Sequence, residues 1–295
     1  MQAAKIRDMP LLAFWLLLVS ALLHAGWNVQ AKRRQLGLSE VFWASLSVSL
    51  LLLPCAAIWP TVTLDLLAMW PWLLATGACQ CVYFLALLQA YRLGEVSVAY
   101  PMMRALPILL TAGMVMLLQR EGWQDTPLLA MVVISLGCLL LCARGANGKL
   151  SWAGIGWAVL AACGICGYHW IDDYCLRQLA QDHHGPGFTL VYVMAQCLAI
   201  SLCYMLYAGL SRTPLRRRPQ AHDAIIGGVV YCSYGLVLFV MPLCDNVAWA
   251  VAFRQLSIPI AAGIGMVALK ENLSRRKLAA IACICLGLTW AGLAS

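Results

Sequence analysis

The chain alternates between long apolar runs and short polar segments. Runs of about 17 to 25 apolar residues, folded as helices, are long enough to cross a bilayer core of about 30 Å. The pattern therefore predicts an all-α integral membrane protein with ten transmembrane helices. The predicted helices span residues 11–30, 41–59, 70–91, 96–118, 128–143, 152–171, 188–208, 224–241, 247–269 and 278–293.

The two halves of the chain repeat one another. Residues 104–137 align without gaps with residues 254–287, at an offset of 150. Within this alignment the Arg, Glu and Gly identities carry more weight than the Leu and Ala matches, which an apolar composition produces by chance. They pair Arg104 with Arg254, Gly113 with Gly263, Glu121 with Glu271, and Gly137 with Gly287.

The helix count predicts how the two repeats are oriented. Five predicted helices fall in residues 1–148 and five in residues 149–295. An odd number of helices in each repeat forces the second repeat to enter the membrane in the opposite orientation, as in many repeat-built transporters. An error of one helix in the count would move one terminus and remove the inversion.

Composition excludes a water-soluble domain. Hydrophobic residues make up 63% of the chain and charged residues 11%, whereas soluble domains have about 45–50% and about 25%. The 14 cysteines lie largely within apolar runs, where a thiol behaves as a small hydrophobe, so we expect neither disulfides nor a metal site. The expected partners are the lipid bilayer and a small-molecule substrate, without nucleic acid or cofactor, and the chain is expected to act as a monomer or homodimer.

Basic residues are unevenly divided between the two predicted membrane faces. Positive charge is retained in cytoplasmic loops, so the richer face is predicted to be cytoplasmic and both termini to lie outside a bacterial inner membrane that the chain crosses many times. The poorer face carries Lys5, Arg7, Arg120 and Arg177. The richer face carries Lys32, Arg33, Arg34, Arg92, Arg144, Lys149, Arg212, Arg216, Arg217, Arg218, Lys270, Arg275, Arg276 and Lys277.

Two arginines are predicted to reach the membrane midplane. Arg104 and Arg254 lie about 12 to 15 Å along predicted helices four and nine. Because an arginine at this depth is costly, each must face a partner or water. The pair is interpreted as an anion-binding or gating site, since the guanidinium fork binds two oxygens of a carboxylate or phosphonate. The alternative is a structural role, with each arginine bonded to backbone carbonyls.

A second polar cluster lies on predicted helices one and six. His24 and Asn28 share a helical face beside Trp27, so we assign all three to substrate binding. In the segment YHWIDDY, His169, Asp172 and Asp173 form a candidate proton-coupling set. The alternatives are a core histidine at His24 and two interfacial carboxylates at the end of helix six.

Aromatic side chains at interior positions are further candidates for the lining of a substrate cavity, because each has an apolar ring and, at its edge, a polar group. They are Tyr83, Tyr100, Tyr231, Tyr234 and Trp249. Prolines break backbone hydrogen bonds at membrane depth in helices four and nine. With the two arginines, Pro101, Pro107 and Pro259 mark these helices as a mobile, cavity-forming pair.

These features together resemble a known transporter family. The stretches LLHAGWNVQAKR, AYRLGEVSVAYPMMRALP and FRQLSIPIAAGIGMVALKE, with the predicted five-plus-five repeat, are similar to the EamA branch of the drug/metabolite transporter superfamily. The resemblance covers essentially the whole chain. It implies a central cavity formed by helices one, three, four, six, eight and nine, with helices five and ten packed outside, and alternating access to the cavity. Family members usually keep both termini in the cytoplasm, whereas the loop charges here predict the reverse.

The sequence therefore predicts a proton-coupled secondary transporter of a small polar solute, amino-acid-like or otherwise bearing a carboxylate or phosphonate. An exporter of organic cations is the alternative. A membrane-embedded enzyme is a more remote one, since its only candidate site is the trio His169, Asp172 and Asp173. Substrates of the family range from amino acids and sugars to toxic cations, so the resemblance implies the mode of transport and not its cargo.

Overall fold

The computed structural model describes residues 11–34, 36–93, 103, 106–107, 110, 125–142, 152–215, 218–243, 256–257, 260 and 275–293. Within these residues the regular structure is entirely helical. The helices are α1 (Leu11–Arg34), α2 (Leu38–Ile58), α3 (Pro60–Ala68), α4 (Trp70–Leu93), α5 (Asp125–Cys142), α6 (Trp152–Asp182), α7 (Gly187–Ser211), α8 (Ala221–Val240) and α9 (Arg275–Leu293). A short 3₁₀ helix, Met241–Leu243, follows α8.

Eight of the predicted membrane helices coincide with described helices. The other two, 96–118 and 247–269, lie almost wholly outside the described residues. Two differences have a common cause. The helix α6 continues to Asp182, well beyond the predicted end at residue 171, and α3 was not predicted. An apolar run shows where the chain meets lipid, whereas helical hydrogen bonds continue through polar residues that suit a helix.

Five of the described helices are long and apolar enough to cross a membrane, and many of their large apolar side chains face outward. Leu51 in α2, Leu206 in α7 and Ile225 in α8 each expose more than 60% of their surface. Exposure of so many large apolar side chains is unusual for a water-soluble protein. The five helices are Leu38–Ile58, Trp70–Ala90, Trp152–Asp182, Gly187–Ser211 and Ala221–Val240.

Acidic side chains cap the first turn of two helices. At the start of α2, the Glu40 carboxylate accepts a hydrogen bond from the Gly37 N–H at 2.9 Å. At the start of α8, Asp223 accepts one from the Gln220 N–H, also at 2.9 Å. A carboxylate here satisfies a free N–H group and interacts favourably with the helix dipole.

The helices pack in pairs. The helix α4 lies against α6 and α7, α8 lies against α1 and α2, α2 also lies against α7, and α5 lies against α9. One side of the bundle is formed by the first turns of α4 and α7, the last turns of α6 and α8, and the short helix α3. There the His183 imidazole lies 2.7 Å from the Asp65 carboxylate of α3. This arrangement brings the second half of α6 and the first half of α7 against the first half of α4.

Small residues allow the close approach of α5 and α9. A Cβ built on Gly137 would lie 2.7 Å from a side-chain carbon of Ile284 and 2.9 Å from the Ala280 carbonyl oxygen. The reverse contact is equivalent: a Cβ on Gly287 would meet Ile134 at 2.6 Å and the Ala130 carbonyl oxygen at 3.0 Å. Both glycines sit where backbones nearly touch, as small residues do in membrane helix pairs.

Candidate functional site

Asp172 is a fully buried carboxylate in the interior of the bundle. It lies in α6, about 15 Å along the helix axis before the end at Asp182. None of its surface is exposed. Since α6 continues for several turns past this residue, the carboxylate is enclosed by protein rather than displayed at the end of a helix.

Four hydrogen-bond donors surround this carboxylate. On Oδ1, the Thr76 hydroxyl of α4 donates at 2.6 Å and the Tyr192 hydroxyl of α7 at 2.7 Å. On Oδ2, the Gln196 amide of α7 donates at 2.7 Å and the Tyr234 hydroxyl of α8 at 2.5 Å. Gln196 Nε2 also lies 3.2 Å from Thr76 Oγ1. One side chain thus bonds α6 to three other helices.

The geometry suits an ionised Asp172. An ionised carboxylate has about four acceptor positions, and here four donors occupy them. All four donors are uncharged groups. In the described part of the chain no cation bonds this carboxylate directly, so these neutral donors are what would stabilise its charge. A membrane protein rarely retains such a group unless it serves an ion, proton or substrate pathway.

An aromatic cluster adjoins the carboxylate. The ring of Tyr168 lies 6.0 Å from that of Tyr83, 4.6 Å from that of His169 and 5.4 Å from that of Tyr234, measured between centroids. The His169 and Tyr234 rings are 5.5 Å apart. All four side chains are buried. The structure thus brings together four residues from α4, α6 and α8, three of which were candidate site residues.

Neighbouring groups favour different tautomers for two buried histidines. The indole N–H of Trp27 lies 2.8 Å from His24 Nδ1 and can only donate, so this nitrogen is an acceptor. His169 Nδ1 lies 3.5 Å from the Tyr234 hydroxyl, whose single proton points to Asp172. A hydrogen bond between Tyr234 and the imidazole therefore requires the proton on Nδ1 of His169.

Asp173 has a different environment from Asp172. It is half-buried, and both its oxygens accept from Arg177 Nε, at 2.9 and 3.0 Å, one turn further along α6. This is a local ion pair within one helix. The two adjacent carboxylates, which the sequence places in one proton-coupling set, therefore engage different partners.

The remaining candidate residues are placed only in part. The Tyr231 hydroxyl makes a short hydrogen bond with the Ser45 hydroxyl, between α8 and α2. Asn28 belongs to α1, but its side chain lies outside the described residues. The candidates Arg104, Arg254, Tyr100 and Trp249 also lie outside them.

Sequence reasoning missed three of the four donors around Asp172, namely Thr76, Tyr192 and Gln196. A signal was present, because a glutamine inside an apolar membrane run is costly unless it bonds to a partner. The same signal applies to Gln80, whose buried Nε2 has no hydrogen-bond partner in the described part of the chain. Among those residues no group of three or more His, Cys, Asp or Glu lies close enough to hold a metal ion.

Comparison with known proteins shows a fold shared with a solved structure. A crystal structure of another protein superposes with a TM-score of 0.66 and 17% sequence identity, and the match covers 96% of this chain and 96% of that chain. No protein-family model matches the chain, and no curated protein matches it either. At this identity the likeness concerns the fold alone.

Proposed function

We propose that this chain is a secondary active transporter of the EamA type. In this proposal it moves a small polar metabolite across the bacterial inner membrane by alternating access, coupled to protons. Its ten helices form two inverted repeats, residues 1–148 and 149–295. The observation that carries the proposal is the Asp172 carboxylate, which is fully buried and bonded to donors from three other helices.

The helix contacts support the inverted repeat. Exchanging α1 with α6, α2 with α7, α4 with α8 and α5 with α9 turns the observed pairs into one another. The α4–α6 pair becomes α8–α1, and α4–α7 becomes α8–α2. The reciprocal contacts of Gly137 and Gly287, which are 150 residues apart, follow the same exchange. A two-fold relation between the repeats accounts for all of these.

Protonation of Asp172 offers a way to couple a proton to helix movement. A proton on the carboxylate turns one acceptor position into a donor, so one neighbouring hydroxyl must turn its own hydrogen away. It also removes the charge that strengthens the other bonds, each of which contributes about 1.5 to 3 kcal/mol when one partner is charged. Because the bonds connect α6 to α4, α7 and α8, their weakening favours a rearrangement of these helices.

The proposed cargo carries a carboxylate or phosphonate, as in an amino acid or aminophosphonate. This part of the proposal rests on the sequence positions of Arg104 and Arg254, whose forks suit such an anionic group. The candidates His24, Asn28, Trp27, Tyr83, Tyr100, Tyr231, Tyr234 and Trp249 are proposed to line the same cavity.

An organic cation is the second candidate for cargo. It is favoured by the tyrosine-rich cluster next to Asp172, since aromatic faces and a carboxylate attract cations. In the described arrangement, however, four donors already occupy the oxygens of Asp172. An ammonium group would have to displace at least one of them.

Transport by the purified protein in proteoliposomes tests the proposal. Uptake of labelled amino acids, an aminophosphonate and a quaternary amine is measured with and without a proton gradient. We expect gradient-driven uptake of an acidic or zwitterionic solute, and a loss of about tenfold or more in Asp172→Asn. Asp173→Asn is the matched control, because Asp173 is paired with Arg177 of its own helix and bonds neither α4, α7 nor α8 in the described part of the chain. Its uptake should stay within about twofold of wild type, since an i,i+4 pair contributes little.

Three results would contradict parts of the proposal. Uptake that is independent of the proton gradient and unchanged in Asp172→Asn would contradict the coupling role of this residue. Preference for the quaternary amine over every acidic solute would replace the cargo. No uptake of any solute, by protein shown to be folded by its thermal unfolding curve, would count against a transporter.

A further inference from the structure

The hydroxyl of Tyr234 lies between two titratable groups of one helix. It donates to Asp172 Oδ2 at 2.5 Å, and its oxygen lies 3.5 Å from His169 Nδ1. His169 and Asp172 are one turn apart on α6 and face the same side, while Tyr234 reaches both from α8. All three side chains are buried, so a line of hydrogen-bonding atoms joins imidazole to carboxylate inside the protein.

We infer that Tyr234 is a proton relay between His169 and Asp172, an inference that rests on the proposed proton-coupled function. The protonated imidazole gives its Nδ1 proton to the Tyr234 oxygen as the Tyr234 O–H proton passes to Asp172 Oδ2. Tyr234 is neutral before and after. The imidazolium becomes a neutral ring with its proton on Nε2, and the carboxylate becomes a carboxylic acid.

The hydrogen bonds distinguish His169 from the other buried histidine. In His24 the Nδ1 atom accepts from Trp27, so protonation of this nitrogen would set two N–H groups against each other. With its proton on Nδ1, His169 would donate to the Tyr234 oxygen, and Nε2 could gain or lose a proton without breaking that contact. The 3.5 Å separation needs to shorten by about 0.5 Å for an ordinary hydrogen bond.

The two ends of the relay lie at different heights along α6. His169 lies about 4.5 Å further than Asp172 from the end of α6 at Asp182. The path therefore leads from the carboxylate towards the middle of the bundle, where the sequence predicts the substrate cavity. This direction is what coupling between a proton site and a central substrate site requires.

Other titratable groups also face Asp172. Tyr192 approaches from α7, and the thiols of Cys79 on α4 and Cys175 on α6 are close enough to interact with it electrostatically. Of these, Tyr192 provides a matched control. Its hydroxyl bonds the same carboxylate at 2.7 Å, and in the described part of the chain it bonds no histidine. Tyr192→Phe and Tyr234→Phe each remove one donor, and only the second cuts the relay.

The test follows protonation of Asp172 directly, without a transport substrate. Purified protein is subjected to a rapid pH jump, and the carboxylic C=O stretching band is followed by infrared difference spectroscopy. The band that disappears in Asp172→Asn is assigned to Asp172. We expect the rate at which this band appears to be lower by about tenfold or more in Tyr234→Phe than in Tyr192→Phe, because proton transfer across a gap needs a bridging hydroxyl.

His169→Asn separates a relay from a structural role. The asparagine amide can still donate to Tyr234, but it cannot take up and release a proton in the pH range of the jump. A relay predicts slow protonation in His169→Asn, with no further slowing when Tyr234→Phe is added. Equal rates in Tyr234→Phe and Tyr192→Phe, or a wild-type rate in His169→Asn, would overturn the relay and leave the proton site intact. Failure of Asp172→Asn to remove any band would instead overturn the proposed proton site.

Discussion

At the scale of single residues, the free energy of a buried polar group depends on whether it has a partner. Thr76 and Thr189 are both buried threonines in membrane helices. The Thr76 hydroxyl donates to Asp172 and accepts from Gln196, whereas the Thr189 hydroxyl has no hydrogen-bond partner in the described part of the chain. Removing the Thr76 hydroxyl leaves the Asp172 carboxylate with one donor fewer, whereas removing the Thr189 hydroxyl eliminates a buried group that has no partner among the described residues.

Valine substitutions test this difference, because valine has nearly the shape of threonine. We expect Thr76→Val to lower the free energy of unfolding by about 1 to 2 kcal/mol, within the range for such bonds in membrane proteins. Thr189→Val should be neutral or stabilising. Thermal unfolding in detergent measures both. Equal destabilisation by the two variants would contradict the role given to Thr76.

The sequence identified the acidic residue of this site and one of its four donors, Tyr234, but not the other three. The segment HWIDDY stands out because two carboxylates follow a long apolar run. Which carboxylate is buried depends on how α6 is rotated against α4, α7 and α8, and this rotation is set by packing. The partner Thr76 is 96 positions away along the chain. No local pattern connects residues at that distance.

At the scale of helices, the α5–α9 contact shows how backbone proximity replaces hydrophobic burial. Lipid is as apolar as leucine, so helices in a membrane associate through close packing. At this crossing Gly137 and Gly287 each lie against the backbone of the opposite helix. The repeat alignment had marked both glycines as equivalent, and the structure shows them making equivalent contacts.

Alanine substitutions probe this crossing. Gly137→Ala and Gly287→Ala should each destabilise the protein by about 1 to 3 kcal/mol, because the new methyl group meets backbone atoms that cannot turn aside. The double variant should cost less than the sum, since a single separation of the helices relieves both clashes.

Gly228 in α8 is the control for this pair, because a Cβ there meets no atom within 4 Å. Gly228→Ala should stabilise the protein by about 0.5 to 1 kcal/mol through helix propensity. Unfolding in detergent compares the three variants. Two interface variants as stable as Gly228→Ala would contradict the close contact between α5 and α9.

At the scale of the whole molecule, the charge asymmetry predicts orientation. The connection between α7 and α8 carries four arginines, whereas the α6–α7 connection at the opposite side of the bundle carries none. Basic loops stay in the cytoplasm. The Asp172 site lies in the half of the bundle next to the α6–α7 connection, and this assignment would place it nearer the outer face.

Cysteine labelling tests the orientation. His184→Cys and Thr213→Cys each place a thiol at an exposed position in one of these connections. With a membrane-impermeant maleimide, we expect His184→Cys to label in intact cells and Thr213→Cys only after lysis. The unsubstituted protein gives the background from the native cysteines. The reverse pattern would support the orientation usual in the resembling family.

The sequence by itself determined the class of the molecule and the positions of most helices, because apolar length and the backbone's need for internal hydrogen bonds act locally. It also marked the glycines of the α5–α9 contact, since a repeat preserves residue type at a fixed offset. Only the tertiary structure decided that α6 runs on to Asp182 and that α3 exists. Only the tertiary structure shows that Asp172 is enclosed and Asp173 is not, because burial depends on which face of α6 is covered by three helices that are distant in sequence.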